Sequence, residues 1–543
     1  MKLLKFAGLL ILLTASVRGF AQANPEGDIT VRVLTLAHLH QLQLIPFNHA
    51  ATFRTCAVCT AHSATDAVNL TATGTKISLA GKGSPSKTTE VFADGSFRLQ
   101  APQQPPLLVV GKLHVTSSAN QLLVRLTLPM ERYVVGVLNG ETAPDEPLES
   151  LKAMAIVTRT YATMNRARHQ AEGFDVCDDT HCQVVRFTAA RPLVEQAVSE
   201  TAGETLWYQR ARAHVFFHQH CGGMTADVRD VWQSEGVPAQ VPYLRAHRDI
   251  YCVVKSSAEW ESEVRLHDLQ DALSRSGIQA DLAAENLTIA ARTETGRVHT
   301  LSIGTLAIPA NTFRLAVNRT LGWSTIKSDW YELERRGDSL VFHGRGSGHG
   351  VGLCQIGAAE MAREGNDAAS ILAEYFPGTN VGVTANDRGW TTRDAGAFSV
   401  SATDERDLQR ALPLAAAAWQ RAHAQFPSAT APHVTVRIFP SVELFRQSTN
   451  QPGWVAASTQ ASIISVEPYQ VLAQKQLFAP VLEHEFLHTL VEANCAPAAP
   501  LWLREGLVEA LSSKPLRASS AAWTIERLEQ QLRAPASQDA SAE

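Results

Sequence analysis

No stretch of this 543-residue sequence reaches the roughly 18 consecutive apolar residues of a transmembrane helix, so no membrane-spanning domain is expected. Runs of Lys and Arg are also missing: 48 basic against 53 acidic side chains leave a formal net charge of −5. That argues against a nucleic-acid binder, which concentrates basic charge on one surface. No repeat recurs at a period of roughly 20–50 residues, which excludes solenoids and propellers. Charged residues are few, at 19%, whereas hydrophobic ones reach 45%, so global disorder is excluded and a sizeable core can form. The length implies about three domains, or one large and one small.

The first 23 residues read as a secretory signal. Lys2 and Lys5 give a positive start, Phe6 to Val17 is an apolar segment too short to span a bilayer, and Ala21-Gln-Ala23 is a small-residue cleavage site. No Cys follows closely, which argues against a lipid anchor. The mature chain is expected to begin near Asn24 and to be exported: periplasmic, wall-associated or secreted. The eight cysteines, at 56, 59, 177, 182, 221, 252, 354 and 495, would then meet an oxidising compartment, where an even number suggests disulfides.

From Asp28 to about Val135 the pattern is short and β-like, with Ile29 to Val33 alternating. From Pro147 to His169 apolar residues recur at three and four, as in a helix. Polar residues around 384–396 mark a boundary. Beyond it an Ala-rich helix is expected over 404–425 and a strand over 434–439.

Glu141 ends the run Glu131-Arg-Tyr-Val-Val-Gly-Val-Leu-Asn-Gly-Glu141, which reads as a buried strand before a proline-bounded loop. A carboxyl there can have its pKa raised for acid work. It can equally pair with Lys152 or Arg159, which lie about two turns apart on the following helix. The stretch Gly344-Arg-Gly-Ser-Gly-His-Gly-Val-Gly352 fits neither G-x-x-x-x-G-K-[ST] nor G-x-G-x-x-G, so a phosphate cradle is not expected. Its glycines let backbone approach a ligand or a neighbouring strand. His349 and Gln355 would stand at a cleft rim, within reach of sugar hydroxyls. His169, Cys177, His181 and Cys182 suit a tetrahedral zinc ion, with a Cys177–Cys182 disulfide as the competing reading. Cys221 and Cys252 can pair, and Cys56-x-x-Cys59 suits a local disulfide.

Together with Pro147-Leu-Glu-Ser-Leu-Lys-Ala-Met-Ala-Ile-Val-Thr-Arg-Thr-Tyr-Ala162, Cys177-Asp-Asp-Thr-His-Cys-Gln183 and His218-Gln-His-Cys-Gly-Gly-Met-Thr225, these stretches resemble the SpoIID/LytB family in order and spacing, over about residues 28–380. The family includes lytic transglycosylases of peptide-free glycan strands and an amidase enhancer. The resemblance implies that Glu141 is the single acid/base, that Arg159 orients it or binds glycan, and that the Cys/His cluster holds structural zinc; Lys152, able to share the helix face of Arg159, is a further candidate glycan contact. The implied partners are peptidoglycan strands and a cell-wall amidase.

Near the C-terminus, His484-Glu-Phe-Leu-His488 lies in a helical run, which puts both His on one face at i and i+4, with Glu485 beside them as general base. The following Leu501-Trp-Leu-Arg-Glu-Gly506 resembles the W-L-x-E-G segment of gluzincins, which implies that Glu505 is a third zinc ligand and that residues 398–513 form a peptidase-MA-like domain. The expected fold is thus α+β: a mixed-strand SpoIID-like domain over 24–385, a linker over 386–397, a smaller α+β zincin-like domain over 398–513, and a tail over 514–543. The expected function is lytic cleavage of peptide-poor glycan with an appended zinc metallopeptidase. The alternatives are a non-catalytic glycan-binding amidase enhancer, or a metalloprotease whose first domain targets the wall.

Overall fold

The computed structural model describes residues 27–512, except 48–49, 81–85, 167, 189–190, 233–240, 254–257, 283–285, 428, 450, 452–453, 461 and 496–499. The expected signal segment, 1–23, and the tail, 514–543, lie outside the described residues. The chain divides into two units. One runs to Trp390 and includes Arg446–Asn450; the other comprises Thr391–Phe445 and the residues from Gln451 onward.

In the first unit the alternating segments form the strands β1 (Asp28–Val33), β2 (Glu90–Gln100), β3 (Leu107–Ser118) and β4 (Gln121–Pro129). With β5 (Val176–Cys177) they lie in the order β5-β1-β4-β3-β2 within a sheet of eleven strands among the described residues. Val31 stands opposite Leu126 on one side and Val176 on the other. Ile29, Val31, Val33, Leu122, Val124, Leu126 and Leu128 are all buried, as the two-residue period requires of one face.

That face shares its core with the helices α1 (Met130–Glu141) and α2 (Leu148–Met164). Every residue of α2 from Ala153 to Ala162 is buried. A helix sheathed on all sides belongs at the centre of its domain, and α2 packs on α1 and on α3 (Gln355–Arg363). Residues 259–345 add two three-stranded sheets and the helices Leu266–Arg275 and Ala310–Leu321 around a separate core of Trp260, Leu269, Phe313 and Phe342.

The run before Glu141 was expected as a strand and is a helix. Val134-Val-Gly-Val137 favours strand locally, but the buried residues Met130, Tyr133, Val134, Val137 and Leu138 recur at helical spacing, and tertiary packing follows that period.

The second unit has one sheet of β6 (Thr391–Asp394), β7 (Phe398–Ala402), β8 (Val434–Ile438), β9 (Ala457–Gln460) and β10 (Ile463–Val466), in the order β6-β7-β8-β10-β9. The three central strands are parallel, and both edge strands run antiparallel to their neighbours. Helix α4 (Glu405–Gln425) buries Leu408, Ala411, Ala415, Ala418 and Ala422, a face of mostly small side chains that lets α5 (Phe478–Asn494) lie close. Helix α6 (Leu501–Leu511) follows and packs on α5. The stretch 386–397, expected as a linker, is not a free one. Asp387 accepts from the backbone N–H groups of Val383, Thr384 and Gly389, Trp390 donates to Glu204, and residues from Thr391 form β6.

No helix among the described residues is long and apolar enough to cross a membrane.

Candidate functional site

Glu141 is the last residue of α1, and its surroundings follow from two glycines one turn apart. A Cβ at Gly136 would lie 2.8 Å from Val185 Cγ1, and one at Gly140 would lie 2.5 Å from the Val184 carbonyl oxygen. Without side chains there, segment 183–187 lies directly along the helix. Three bonds fix it: Tyr133 donates to Gln183 Oε1 at 2.8 Å, Arg186 N–H to Gly136 O at 2.9 Å, and Val184 N–H to Glu141 Oε1 at 2.8 Å. Beyond the helix, Arg191 holds the loop by donating to the carbonyls of Thr142 and Ala143. Gln355, first residue of α3, donates its Nε2 hydrogen to the Glu141 carbonyl at 2.9 Å.

Burial raises the Glu141 pKa above the usual carboxyl value, although the Val184 N–H and the Arg186 charge pull it down. Its side chain is nonetheless part-exposed. A mostly desolvated carboxyl with one edge open is suited to trade a proton with a bound molecule. A second buried carboxyl in the same loop, Glu146, is committed to the Ser150 hydroxyl.

Three expected glycan contacts have other duties. Arg159 is buried and pairs with both oxygens of Glu131, at 3.0 and 2.6 Å, while also donating to the Glu204 carbonyl at 2.8 Å. It therefore anchors the first turn of α1, about 15 Å along the helix from Glu141, and does not orient the acid. Lys152 lies between Glu149 (2.7 Å) and Glu200 (2.6 Å). Burial lowers its pKa, but the two carboxylates outweigh this and the net shift is upward. His349 packs against Trp232 and His218, with ring centroids 4.8 and 5.7 Å away, and its Nδ1 accepts from Val351 N–H at 3.1 Å. Burial first, then His218, holds it neutral, and a further backbone hydrogen bond joins it to Phe217. It stands part-exposed in this wall, with its Nδ1 taken up by the backbone. The glycines around it serve a neighbouring strand: a Cβ at Gly352 would lie 2.3 Å from the Phe216 carbonyl oxygen. A groove of about 620 Å³ beside this wall is lined by Trp260, Trp323, Lys327, His220 and Ile356, the last adjacent to Gln355.

His169, Cys177, His181 and Cys182 bring one ligand atom each within 4.8 Å of one another. Cys182 Sγ is 3.4 Å from His169 Nε2, and Cys177 Sγ is 3.6 Å from His181 Nδ1; neither thiol is in a disulfide. His169 Nδ1 meets Glu172 at 2.7 Å, which turns its other nitrogen towards the sulfurs. Cys56 and Cys59 do form a disulfide.

In the second unit, His488 Nε2 lies 3.1 Å from His484 Nε2 and 3.5 Å from Glu505 Oε2, so three donors face one point. Glu485 is buried on the same helix and accepts from Thr459 Oγ1, on edge strand β9, at 2.5 Å. Burial pushes its pKa up, against that hydrogen bond.

Sequence reasoning missed Val184, Glu131 and Thr459. The pair Gly136 and Gly140, four apart on what proves to be a helix, was the one signal for the docking of segment 183–187.

A family model described as Stage II sporulation protein matches residues 118–208, and one described as a domain of unknown function matches 243–352; both spans fall in the first unit. An uncharacterized protein of Brachyspira hyodysenteriae is 30% identical over 273 residues, covering 50% of this chain and 71% of that protein. Stage II sporulation protein D of Bacillus subtilis is 26% identical over 285 residues, covering 49% of this chain and 78% of the relative. The amidase enhancer of the same organism is 24% identical over 294 residues, covering 45% of this chain but only 40% of its own length.

Proposed function

Since the chain belongs to the SpoIID family through its first unit, we propose that it is an exported cell-wall protein whose first unit cleaves peptide-poor glycan strands, with Glu141 as the single acid/base. The observation that carries this reading is the state of Glu141: desolvated, raised in pKa, held by one backbone N–H and open on one side. Hydrolysis of a glycosidic bond normally uses two carboxylates. Among the described residues Glu146, the other buried carboxyl of this loop, is already bonded to Ser150. One carboxyl suffices if water takes no part. Protonated Glu141 gives its proton to the glycosidic oxygen as the C–O bond breaks. The resulting carboxylate then takes the proton from the 6-hydroxyl of the same muramyl sugar as that oxygen closes on C1. Gln355 fixes the acid's backbone, and the groove past Ile356, with Trp323 about half exposed, gives the strand an aromatic floor. The chemistry of the Cys₂His₂ donor set fits a structural zinc ion, which would pin the loop after α2 beside α1.

The convergence of His484, His488 and Glu505 favours a second activity, a zinc metallopeptidase in the second unit. Those three would hold zinc, which supplies Lewis acidity to a peptide carbonyl and to attacking water. Glu485 would accept the proton from that water at its carboxylate. The name of the amidase enhancer supports a rival reading in which the first unit only binds glycan and stimulates an amidase. The deciding experiment is mass spectrometry of purified glycan strands incubated with the mature protein. Anhydro-muramyl ends are expected; intact strands would leave the first unit as an amidase-stimulating binder or as a wall-targeting module for the second.

A further inference from the structure

Three cysteines that neither activity uses meet in the first unit. Cys221, Cys252, Cys354 and Asp249 come from three separate segments, all are buried, and one ligand atom of each lies within 4.8 Å of the others. We infer that they form a further metal centre of Cys₃Asp type, for zinc or a similarly thiophilic divalent ion.

Four observations support a metal over a disulfide. Cys221 and Cys252 sulfurs are 3.0 Å apart, beyond the roughly 2.05 Å of a bond, and none of the three cysteines is in a disulfide. Donors on a zinc shell of about 2.3 Å radius stand roughly 3.8 Å apart; the four atoms, all within 4.8 Å of one another, reach such a shell once the Cys221 and Cys252 sulfurs part from 3.0 Å. Backbone N–H groups are aimed at the sulfurs: Gly223 at Cys252 (3.1 Å) and Cys221 (3.4 Å), and Cys221 at Cys354 (3.3 Å). Such donors favour thiolates, the form that binds metal. The turn that points the Gly223 N–H inward has Gly222 and Gly223 at φ 77° and 98°, a conformation that suits glycine.

Asp249 is fixed in the same sense. Its Oδ1 accepts from Tyr251 and Cys252 N–H, and its Oδ2, which faces Cys221 Sγ at 3.2 Å, accepts from Tyr375 OH at 2.9 Å. A disulfide would join two sulfurs and leave a thiol and a carboxylate buried together, whereas one cation satisfies all four. Arg297, also buried, donates to the Cys221 carbonyl at 2.7 Å and brings positive charge alongside.

The centre has a structural consequence. Cys354 immediately precedes Gln355, whose side chain holds the Glu141 backbone. Metal bound at Cys354 would fix the start of α3 from beneath the proposed acid.

The test is zinc content of the full mature chain, purified without chelator, together with alkylation mapping of denatured protein without reductant. Cys354→Ser should lose one zinc per chain. Cys182→Ser, which disrupts the Cys₂His₂ cluster, should keep that equivalent, so the two clusters fail separately. A disulfide between any two of Cys221, Cys252 and Cys354, or equal zinc in Cys354→Ser and the parent, overturns the proposal. If Cys354→Ser does not fold, Asp249→Asn is read instead. Release of one zinc equivalent to a chelator should quicken about tenfold or more, and unchanged release again overturns the assignment.

Discussion

Glu141 and Glu485 are two carboxyls in nearly the same physical state. Each lies on a helix, each is desolvated enough to raise its pKa, and each accepts a single short hydrogen bond, from Val184 N–H in one case and Thr459 Oγ1 in the other. What differs is the company. Glu485 has two imidazoles and a second carboxylate converging beside it, whereas the Glu141 carboxyl, among the described residues, meets the Val184 N–H and the charge of Arg186, with Gln355 bonded to its backbone carbonyl. Burial makes a carboxyl able to move a proton; its neighbours decide which bond that proton serves. The two His-bearing clusters would divide in the same way. Four protein donors around His169 would close a tetrahedral zinc shell, whereas three around His484 would leave a position for substrate or water.

The sharpest break of this comparison is Glu141→Gln. The change is nearly isosteric and Gln still accepts from Val184 N–H, so the fold should hold while glycan cleavage falls about 10²–10⁴-fold or more. Mass spectrometry of anhydro ends measures it, and undiminished cleavage removes Glu141 from the mechanism. Glu485→Gln should show the opposite selectivity. Metal retained through His484, His488 and Glu505 should accompany a loss of peptidase turnover by about 10²-fold or more on casein or cross-bridge peptides, with glycan cleavage unaffected. If both activities fall with either variant, the two carboxyls serve one site.

How legible these sites were in the sequence depended on how local their causes are. Two of the three donor clusters were readable because residues close in sequence supply them: 169 to 182 in one, and an i, i+4 pair plus a nearby helix in the other. The β-rich segment from Asp28 and the helix over 148–164 were readable from period, and the helix over 405–425 from its alanine content. The conformation of the run ending at Glu141 was not, since β-branched residues there favour strand and only packing reveals the helical spacing. Nor were the partners of Arg159, Lys152 and His349. The Glu131 that claims Arg159 lies 28 residues away, and the backbone that claims His349 belongs partly to residue 217, on a strand paired across the fold.

Arg159 gives a third, intermediate effect. Its buried pair with Glu131 holds the first turn of α1, so Arg159→Met leaves Glu131 without its counter-charge and should cost about 3–5 kcal/mol of stability. Chemical denaturation measures the loss. Glycan cleavage per folded molecule should change little. A folded variant that cleaves no glycan would restore Arg159 to the substrate site and undo the separation between the two ends of α1.

The smallest expected effect tests the premise shared by both carboxyls, that burial sets their proton affinity. Glu141 has a folded pKa above the unfolded value of 4.5, with burial as the largest cause. The native chain therefore keeps this proton at pH values where the unfolded chain has released it, and stability falls as pH rises from about 4.5 through the folded pKa. Below that window the group contributes no penalty; above it the penalty is complete and constant. Glu141→Gln carries no titrating group here. Its stability relative to the parent should thus rise with pH across the window and then level off. Denaturant midpoints of the two proteins between about pH 4 and pH 8 give the difference directly. A flat difference would mean that water reaches Glu141 freely, and a freely solvated carboxyl would be mostly ionised near neutral pH, a poor acid for a glycosidic oxygen.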